Sequence, residues 1–414
     1  MRTPDLNWLK DSRIFQVNRL QAYSDHIYTI GKDKKPSSFS LNGTWKFNQS
    51  KNYDTSFKFF YNTEFNDTNW NDIQVPGHIQ LQGFDNPHYT DVTYPWDGHD
   101  VVKPGQIDMD KNKVYQYRKT FDLPRDFIGN KLILSFEGVE SNIYVWLNGK
   151  FIGYSEDSFT PSRFDITKYT QEKDNVLCVR IFQKCTGTWL EDQDMWRFSG
   201  IFRDVMIYKQ PSLHIQDLKI DTNIDLDTNK SVLTCTCKMS SNENHILQAK
   251  LYDPQGNIVW NANMQDTFEI PVENTSLWSS EYPNLYQLEI VLYDTNNEVI
   301  ETIHEQVGFR KFSLEYGIMK INGKRIVFHG INRHEWNAKT GRAITYEQME
   351  EDVHMLKSLN INAVRTSHYP NNSYWYKLCD QYGIYVIDEM NLETHGANDI
   401  LPQNKTEWTD CLLD

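Results

Sequence analysis

Short runs of alternating apolar and polar residues, separated by turn residues, fill the chain between residues 39 and 211. The run Leu132 to Phe136 is followed by two more runs on either side of Asn148-Gly149. An Asn-Gly pair between alternating runs predicts a two-residue hairpin turn, because both turn positions need a positive φ. Strands with no helical pattern between them indicate an antiparallel sandwich, and we predict a jelly roll for 39–211. The preceding segment, 1–38, has little periodicity and is interpreted as a polar N-terminal arm.

A second set of alternating positions follows between residues 212 and 309. Leu247, Ala249 and Leu251 alternate with polar neighbours, and the turn sequence Asp-Pro-Gln-Gly-Asn comes after them. About a hundred residues with turn signals at this spacing are typical of an immunoglobulin-like domain. We therefore predict a second, smaller β-sandwich in this region.

The hydrophobic period changes after residue 310, where strands alternate with helices. Strands are predicted at 325–328, 361–364 and 384–387. Apolar residues at helical spacing predict the two intervening helices: Met349, Val353 and Leu356 in the first, and Trp375, Leu378, Cys379 and Tyr382 in the second. Thr345 with Gln348 predicts the start of the first helix, and Gly383 the end of the second. This order implies parallel strands, as in the first three βα units of a (β/α)8 TIM barrel over 310–414.

A cluster of polar residues follows each predicted parallel strand: Asn332 to Glu335, Arg365 to Pro370 and Asn391 to Gly396. In (β/α)8 barrels the carboxyl ends of the strands carry the active site. The position of the three clusters and their polar residue types therefore both indicate a functional site. A single histidine in such a place is more often structural than functional. Three clusters of histidine, arginine and carboxylate on one edge favour a functional site.

The side chains in these clusters suit sugar and metal chemistry. Glu393 and His395, two residues apart in a loop, could bind a divalent ion such as Mg²⁺, although histidine is an unusual ligand for so hard a cation. His334 and His368 can donate to hydroxyls or to developing negative charge. Arg365 either orients neighbouring carboxylates or forms a structural salt bridge.

Two polar segments upstream also stand out. Residues 191–197, Glu-Asp-Gln-Asp-Met-Trp-Arg, combine three carboxylates with an arginine, a methionine and a tryptophan. A segment that only faces solvent does not require this combination. Residues 85–91, Asp-Asn-Pro-His-Tyr-Thr-Asp, are interpreted as an exposed loop with no further signal.

Composition narrows the choice of ligand. The chain has 42 Lys plus Arg against 56 Asp plus Glu, a net charge of −14, so we expect neither nucleic acid nor an anionic membrane as partner. A neutral, hydroxyl-rich ligand fits better, and the 14% aromatic residues offer flat surfaces for sugar rings, although most should be sandwich core. We expect a cytoplasmic location, because no apolar run suits a signal peptide or a membrane span and the 6 cysteines are few.

These residues resemble glycoside hydrolase family 2, and within it the branch of bacterial β-galactosidases. The resemblance runs from about residue 14 to the end of the chain. It is carried by Ser40-Leu41-Asn42-Gly43-Thr44-Trp45, Tyr94-Pro95, Glu191 to Arg203, Val307-Gly308-Phe309-Arg310 and the three polar clusters. Arg365 to Pro370 and Asp388-Glu389 are shared with β-glucuronidases. The β-galactosidase branch is indicated by Glu191 to Arg197 and Asn391 to Gly396, and Tyr94-Pro95-Trp96-Asp97-Gly98 is similar to members from lactic-acid and related bacteria, some of which are split into large and small chains.

The resemblance implies retaining hydrolysis of terminal β-galactosides such as lactose, with Mg²⁺ and Na⁺ as cofactors. Asp194 would bind a galactose hydroxyl and help to ligate Na⁺. His334 and His368 would contact the sugar and stabilise the transition state.

The resemblance also implies that Glu393 and His395 are Mg²⁺ ligands. Asp91 aligns with a sugar-contacting position at which the best-known members carry asparagine. An aspartate can accept a hydrogen bond from a hydroxyl there but cannot donate one.

Two further residues that the family requires have no counterpart in this sequence. The catalytic carboxylates would be glutamates on the fourth and seventh strands, the first preceded by asparagine, and that first glutamate would also be the third protein ligand of Mg²⁺. The only Asn-Glu pairs are Asn242-Glu243 and Asn297-Glu298, both in predicted turns of the second sandwich. We expect the 414-residue chain to be an N-terminal portion that is inactive alone. It should also fold poorly after about residue 310, because three strands cannot close an eight-stranded barrel.

Two other interpretations stay open. The chain could be a non-catalytic carbohydrate-binding or complementing chain that pairs with a separate piece carrying the remaining strands. It could also come from another member of the family, such as a β-glucuronidase, although its acidic charge and lack of an obvious basic group for a carboxylated sugar weigh against this. We expect an oligomeric parent protein, with a separate small subunit as one option.

Overall fold

The structure, a computed structural model, describes residues 3–94, 102–103, 105–397, 399–403 and 405–414. Its strands form two antiparallel sandwiches followed by a small parallel sheet. The part of the resemblance carried by Pro95 to Gly98 lies outside the described residues.

The first sandwich consists of a seven-stranded and a four-stranded antiparallel sheet. The larger sheet has the order Gln16–Val17, Lys150–Glu156, Asn142–Leu147, Asn175–Phe182, Val114–Phe121, Gly43–Ser50 and Asn71–Val75. The smaller sheet has the order Ser162–Asp165, Lys131–Phe136, Val205–Gln210 and Ser38–Ser40. Two short ribbons accompany them: Val139–Glu140 with Gly200–Ile201, and His88–Thr90 with Met195–Arg197. Strands distant in sequence lie side by side, as a jelly roll requires.

Apolar residues from both sheets form one core in this sandwich. Trp45 and Tyr117 from the larger sheet pack in the same cluster as Leu134 from the smaller one. The predicted hairpin turn is confirmed, since Asn148 and Gly149 have φ values of 50° and 76° and join two adjacent strands. The predicted sandwich is confirmed by this packing.

The second sandwich is also confirmed. Its smaller sheet has the order Ile215–Asp225, Lys230–Met239 and Thr267–Glu273. Its larger sheet has the order Ile258–Met264, Ile246–Tyr252, Tyr286–Tyr293, Val299–Val307, Ile27–Ile30 and Lys35–Pro36. Leu247, Ala249 and Leu251 are buried in the core between the sheets, as their alternation predicts.

The N-terminal segment is part of both sandwiches and not a separate arm. Gln16–Val17 extends the larger sheet of the first sandwich, and Ile27–Ile30 pairs with Val299–Val307 of the second. Edge strands expose unpaired N–H and C=O groups, which an extended segment can satisfy through its backbone whatever its side chains. Side-chain periodicity therefore gave no sign of this pairing.

The last part of the chain begins with a small antiparallel sheet and continues into a parallel one. The antiparallel strands are Phe312–Glu315, Ile318–Ile321 and Lys324–Arg325. The parallel strands are Gly330–Arg333, Ala363–Thr366 and Tyr385–Ile387, with helices Tyr346–Ser358 and Ser373–Tyr382 between them. Both predicted helix signals are confirmed: Thr345 and Gln348 form a capping box, and Gly383 ends the second helix at φ 71°.

The prediction of a strand at 325–328 is wrong. Arg325 ends the small antiparallel sheet, and the first parallel strand starts at Gly330. The Asn362 side chain donates to the Val327 carbonyl at 3.0 Å and accepts from the His329 N–H at 2.8 Å. Part of the hydrogen bonding of 327–329 therefore goes to a side chain instead of a backbone ladder.

The second parallel strand is also shifted toward its polar cluster: it is Ala363–Thr366, compared with the predicted 361–364. The third strand is confirmed, since Tyr385–Ile387 lies within the predicted 384–387. Asn332, Arg333 and Arg365 consequently lie inside strands and not in the loops after them.

Short helical segments make up the remaining elements: Leu6–Lys10, Gln80–Gln82, Arg125–Phe127, Gly187–Leu190, His395–Ala397, Thr406–Trp408 and Thr409–Leu413. Over the ranges that the structure describes, no helix has the length and apolar character to cross a membrane.

The Gly383→Ala substitution should destabilise the last part of the chain. A Cβ at this position would lie 2.5 Å from the Ser280 carbonyl oxygen, in addition to the cost of a positive φ. We expect a loss of about 3 kcal/mol, measured by hydrogen exchange of the amides in Ser373–Tyr382.

Gly317→Ala is the matched control, since Gly317 has φ 77° and no atom within 4 Å of the added Cβ. It should cost only about 1 kcal/mol, from backbone conformation alone. Equal losses for the two variants would show that the contact with Ser280 does not restrict Gly383.

Candidate functional site

The predicted site residues lie together where the carboxyl ends of the parallel strands meet loops of the first sandwich. The imidazole rings of His334 and His368 are 5.4 Å apart, edge to face. His368 Nδ1 lies 3.8 Å from Glu393 Oε2 and 3.7 Å from Glu389 Oε2. One residue from each of the three polar clusters therefore faces the same small region.

Glu393 and His395 are adjacent, as two ligands of one cation would be. Glu393 Oε1 lies 3.5 Å from His395 Nδ1, and Asp91 Oδ1 lies 3.9 Å from the same nitrogen. His395 Nδ1 is buried, and the described residues give it no hydrogen-bond partner. A buried nitrogen without a hydrogen bond beside two carboxylates is suited to a cation.

The described residues do not complete a metal site by themselves. Within these ranges, no three His, Cys, Asp or Glu side chains are arranged to hold a metal ion. Glu393 and His395 would thus supply only part of the coordination shell of Mg²⁺, which commonly keeps several waters.

Two of the carboxylates in 191–197 point inward and join the first sandwich to the third polar cluster. Glu191 accepts hydrogen bonds from the Ser158 N–H at 2.7 Å and from Asn391 Nδ2 at 2.8 Å. Asp192, which is fully buried, accepts from the Gly396 N–H at 2.8 Å. These two side chains fix the loop that carries the proposed metal ligands, and neither is available to a ligand.

Asp194 is the carboxylate of this segment that remains half-buried, and it is close enough to His334 to raise the pKa of that ring. It accepts a hydrogen bond from the hydroxyl of Tyr89, which lies opposite Trp196 in the ribbon of His88–Thr90 with Met195–Arg197. Gln193 Nε2, beside it, donates to the carbonyl oxygen of His368 at 3.1 Å. The ribbon therefore places Asp194 next to the ends of the parallel strands.

Two buried arginines connect the first sandwich to the first and second polar clusters. Arg203 Nη2 donates to Glu335 Oε2 and to the Pro370 carbonyl oxygen, each at 2.7 Å. Arg342, in the loop after the first parallel strand, pairs with Glu140 of the first sandwich. Breaking a buried ion pair by removing one partner typically costs several kcal/mol. These contacts therefore hold two units, the first sandwich and the parallel sheet with its helices, in one arrangement.

The electrostatic surroundings keep His334 neutral. Burial, followed by the nearby His368 and Arg342, lowers the pKa of His334 to about 4, although Asp194 acts in the opposite direction. Its Nδ1 lies 3.4 Å from the Tyr369 hydroxyl. A neutral imidazole can donate from one nitrogen and accept at the other, which suits a hydroxylated ligand.

Sequence reasoning did not assign a role to Tyr89, Gln193 or the Arg203–Glu335 pair. The segment 85–91 was interpreted as an exposed loop, but His88–Thr90 forms a strand with Met195–Arg197. These contacts join residues more than a hundred positions apart, and no local pattern indicates them.

The order of domains and the composite site define the class of protein: glycosyl hydrolases in which β-sandwiches precede a (β/α) catalytic domain. Family models match in the same order: "Glycosyl hydrolases family 2, sugar binding domain" over 39–211, "Glycosyl hydrolases family 2" over 213–310, and "Glycosyl hydrolases family 2, TIM barrel domain" over 312–411.

The more particular assignment rests on relatives of known name. The chain is 49% identical, over 99% of its length, to a beta-galactosidase of Halalkalibacterium halodurans, and it covers 43% of that protein. It is 40% identical, again over 99% of its length, to a "Beta-galactosidase large subunit" of Lactobacillus acidophilus, and it covers 70% of that protein. The chain belongs to glycosyl hydrolase family 2, and its sequence is similar to bacterial β-galactosidases.

Solved structures agree in fold. A crystal structure of a Bacteroides uniformis beta-glucuronidase has a TM-score of 0.73 at 22% identity, covering 90% of this chain and 44% of that one. At so low an identity the likeness shows the fold alone. The chain spans less than half the length of this protein and of the Halalkalibacterium relative.

His334 should stay uncharged in the folded protein down to about pH 5, since its pKa is about 4. A free histidine titrates near pH 6.5, so the unfolded state binds more protons as pH falls through that value. The contribution of His334 to stability is then complete above about pH 6.5 and is lost as pH falls toward 4.

NMR titration of the imidazole nitrogens, with His334→Gln to assign the signal, measures this pKa. A midpoint near 6.5, the ordinary value, would mean that burial and the neighbouring His368 and Arg342 do not control the pKa of the ring.

Proposed function

We propose that the protein to which this chain belongs is a β-galactosidase that hydrolyses terminal β-D-galactosides, such as lactose, with retention of configuration. The observation that carries this proposal is 40–49% identity, over nearly the whole chain, to relatives named beta-galactosidase or its large subunit. The site supports it, because its donors and acceptors suit a neutral sugar.

Each proposed sugar contact has a chemical role that follows from its surroundings. Asp194, oriented by Tyr89, would accept a hydrogen bond from a galactose hydroxyl. Neutral His334 would donate to a second oxygen, and His368 would do so from the neighbouring cluster. Asp91 is exposed and would act only as an acceptor.

Retaining hydrolysis needs two carboxyl groups about 5–5.5 Å apart, one as acid/base and one as nucleophile. We propose that both come from a segment that completes the barrel, either in the same polypeptide or as a separate small subunit. The name of the Lactobacillus relative, a large subunit, supports the second arrangement.

We also propose that Glu393 and His395 bind Mg²⁺ and that Asp194 helps to bind Na⁺. The 3.5 Å between Glu393 Oε1 and His395 Nδ1, together with the unsatisfied nitrogen, supports the first assignment. Bound Mg²⁺ would supply a fixed positive charge beside the sugar site. The carboxylate of Asp194 supports the second assignment, by its charge and partial exposure.

The arrangement of cations favours a galactoside over a glucuronide. Arg342 pairs with Glu140, and Arg365 pairs with Glu389. A carboxylated sugar would have to compete with these glutamates for a positive charge. The likeness in fold to β-glucuronidases does not outweigh this, because a fold is shared by members of different specificity.

A cytoplasmic location is part of the proposal. The 6 cysteines are all free thiols in the structure, which supports a reducing compartment.

Hydrolysis assays test the proposed activity. The 414-residue chain is assayed alone and fused at its C-terminus to the remaining part of the Halalkalibacterium relative, with p-nitrophenyl β-D-galactoside and β-D-glucuronide. We expect no turnover by the chain alone, and by the fusion a preference for the galactoside of roughly 100-fold or more. Preference for the glucuronide would contradict the proposal, and turnover by the chain alone would contradict its dependence on a further segment.

Asp194→Asn in the fusion should lower kcat/KM for the galactoside by roughly 10-fold to 100-fold, because a charged acceptor of a sugar hydroxyl is lost. Asp227→Asn, in an exposed turn of the second sandwich, is the control and should leave kcat/KM unchanged. Equal effects of the two substitutions on kcat/KM would show that Asp194 does not contact the sugar.

Calorimetric titration of the same fusion with MgCl₂ tests the metal ligands independently of activity, because the fused segment supplies the rest of the barrel. Glu393→Gln should weaken binding by roughly 10-fold or more, whereas Glu351→Gln, on the exposed side of the helix Tyr346–Ser358, should not. Unchanged binding by the Glu393 variant would place the metal elsewhere.

A further inference from the structure

Tyr369 is buried directly beside His334. It belongs to the second polar cluster, just after the strand Ala363–Thr366, and it is 0% exposed. Its hydroxyl lies 3.4 Å from Nδ1 of His334, and the centroids of the two rings are 5.9 Å apart. Because bulk water does not reach this hydroxyl, its hydrogen bonds are made within the protein.

The position of Tyr369 is fixed by its ring and by its backbone. The ring stacks on Phe159 of the first sandwich, with centroids 4.2 Å apart and an interplanar angle of 14°. The Tyr369 N–H donates to the Thr366 carbonyl oxygen at 3.1 Å, and its own carbonyl oxygen accepts from Asn371 Nδ2 at 3.1 Å. A side chain held at both ends keeps its hydroxyl beside His334.

The hydrogen bond between Tyr369 and His334 can run in either direction, and the available partners decide between them. The hydroxyl could donate its proton to Nδ1, or its oxygen could accept a proton from Nδ1. Over the ranges that the structure describes, Nδ1 of His334 is the only hydrogen-bond partner of this hydroxyl. If the oxygen only accepted, the hydroxyl proton would be buried without an acceptor, which is unfavourable. Tyr369 is therefore the donor.

Both side chains are in the protonation state that this direction requires. Burial raises the pKa of Tyr369, so the phenol keeps its proton. Burial lowers the pKa of His334 to about 4, so its ring is neutral at pH 7 and carries a single N–H proton. Because Nδ1 accepts from Tyr369, that proton is on Nε2.

Nε2 is the nitrogen of His334 that is left for a ligand. The side chain is half-buried, and the part of the chain that the structure describes offers Nε2 no hydrogen-bond partner. An imidazole with its proton on Nε2 can donate from there to a sugar oxygen, but it cannot accept from a sugar hydroxyl at that nitrogen. Of the two roles that a neutral ring can have, only donation is open.

We propose that Tyr369 is a positioning residue that fixes His334 as a hydrogen-bond donor toward the sugar. It acts through the proton on Nε2 and does not touch the ligand. The oxygen opposite Nε2 is then an acceptor, and it can gain negative charge during the reaction without losing this bond. The identity of the ligand rests on the proposed function, whereas the direction of the bond between Tyr369 and His334 does not.

NMR of the fusion with ¹⁵N-labelled histidine measures the tautomer, because protonated and unprotonated ring nitrogens resonate far apart. His334→Gln identifies the signals of His334. We expect the proton on Nε2 in the unchanged fusion, and loss of this single tautomer in Tyr369→Phe. Tyr115→Phe is the matched control and should leave the tautomer unchanged, since Tyr115 is equally buried in the first sandwich and its hydroxyl donates to Asp85 at 2.8 Å.

Kinetics of the same fusion separate a positioning role from a merely structural one. Tyr369→Phe should lower kcat/KM for p-nitrophenyl β-D-galactoside by roughly 10-fold, and His334→Phe by roughly 100-fold. Because Tyr369 acts only through His334, the double variant should lose no more than His334→Phe alone. Tyr115→Phe should leave kcat/KM unchanged. Losses that multiply in the double variant would mean that Tyr369 acts independently of His334, and would overturn the proposal.

The two measurements separate this proposal from the proposed function. If the fusion cleaves the galactoside but His334 carries its proton on Nδ1, or Tyr369→Phe keeps the single tautomer, the positioning role is overturned and the function stands. If the fusion does not cleave the galactoside but the proton is on Nε2, the function falls and Tyr369 is supported as a positioning residue for another ligand. The tautomer of the unchanged fusion needs no variant, so it decides the direction of the bond even if Tyr369→Phe fails to fold.

Discussion

The candidate site depends on charges buried between the first sandwich and the parallel strands. The pairs Arg203–Glu335 and Arg342–Glu140 join residues that are 132 and 202 positions apart. Each arginine is almost completely buried and also binds backbone carbonyls, so a shift of one unit would leave a charge without a partner. Because such a loss typically costs 3–5 kcal/mol, the two units hold one relative position, and Asp194 and His334 meet there.

The polar residues around the site divide into two groups with different roles. Glu191 and Asp192 face inward and bind the loop of the third cluster, so their function is to position other groups. Asp194 and His334 face the open region and keep hydrogen-bonding capacity for a ligand. The segment 191–197 thus anchors the loop of the third cluster through two carboxylates and leaves the third partly exposed, so its three carboxylates do not form one acidic surface.

The fold is shared with proteins of another named specificity, so it does not identify a substrate. The strands and cores of this chain resemble those of β-glucuronidases at 22% identity, so the scaffold does not decide the substrate. What differs between substrates is the charge that a site can offer. Here Arg342 and Arg365 are engaged by glutamates, and Asp194 and the neutral imidazole of His334 lie beside them.

The sequence by itself determined the two sandwiches, the Asn148-Gly149 hairpin and the capping of the first long helix, because each depends on residues close together in the chain. It also indicated the three polar clusters, since parallel strands place their carboxyl ends at one edge. The predicted start of the first parallel strand was wrong. The Asn362 side chain bonds the His329 N–H and the Val327 carbonyl, two backbone groups that the local pattern assigns to a strand. Only the tertiary structure decided which carboxylates face inward, how the N-terminal segment joins both sandwiches and how Tyr369 lies against His334. Those features rest on hydrogen bonds and ring contacts between distant segments, and such contacts leave no period in the sequence.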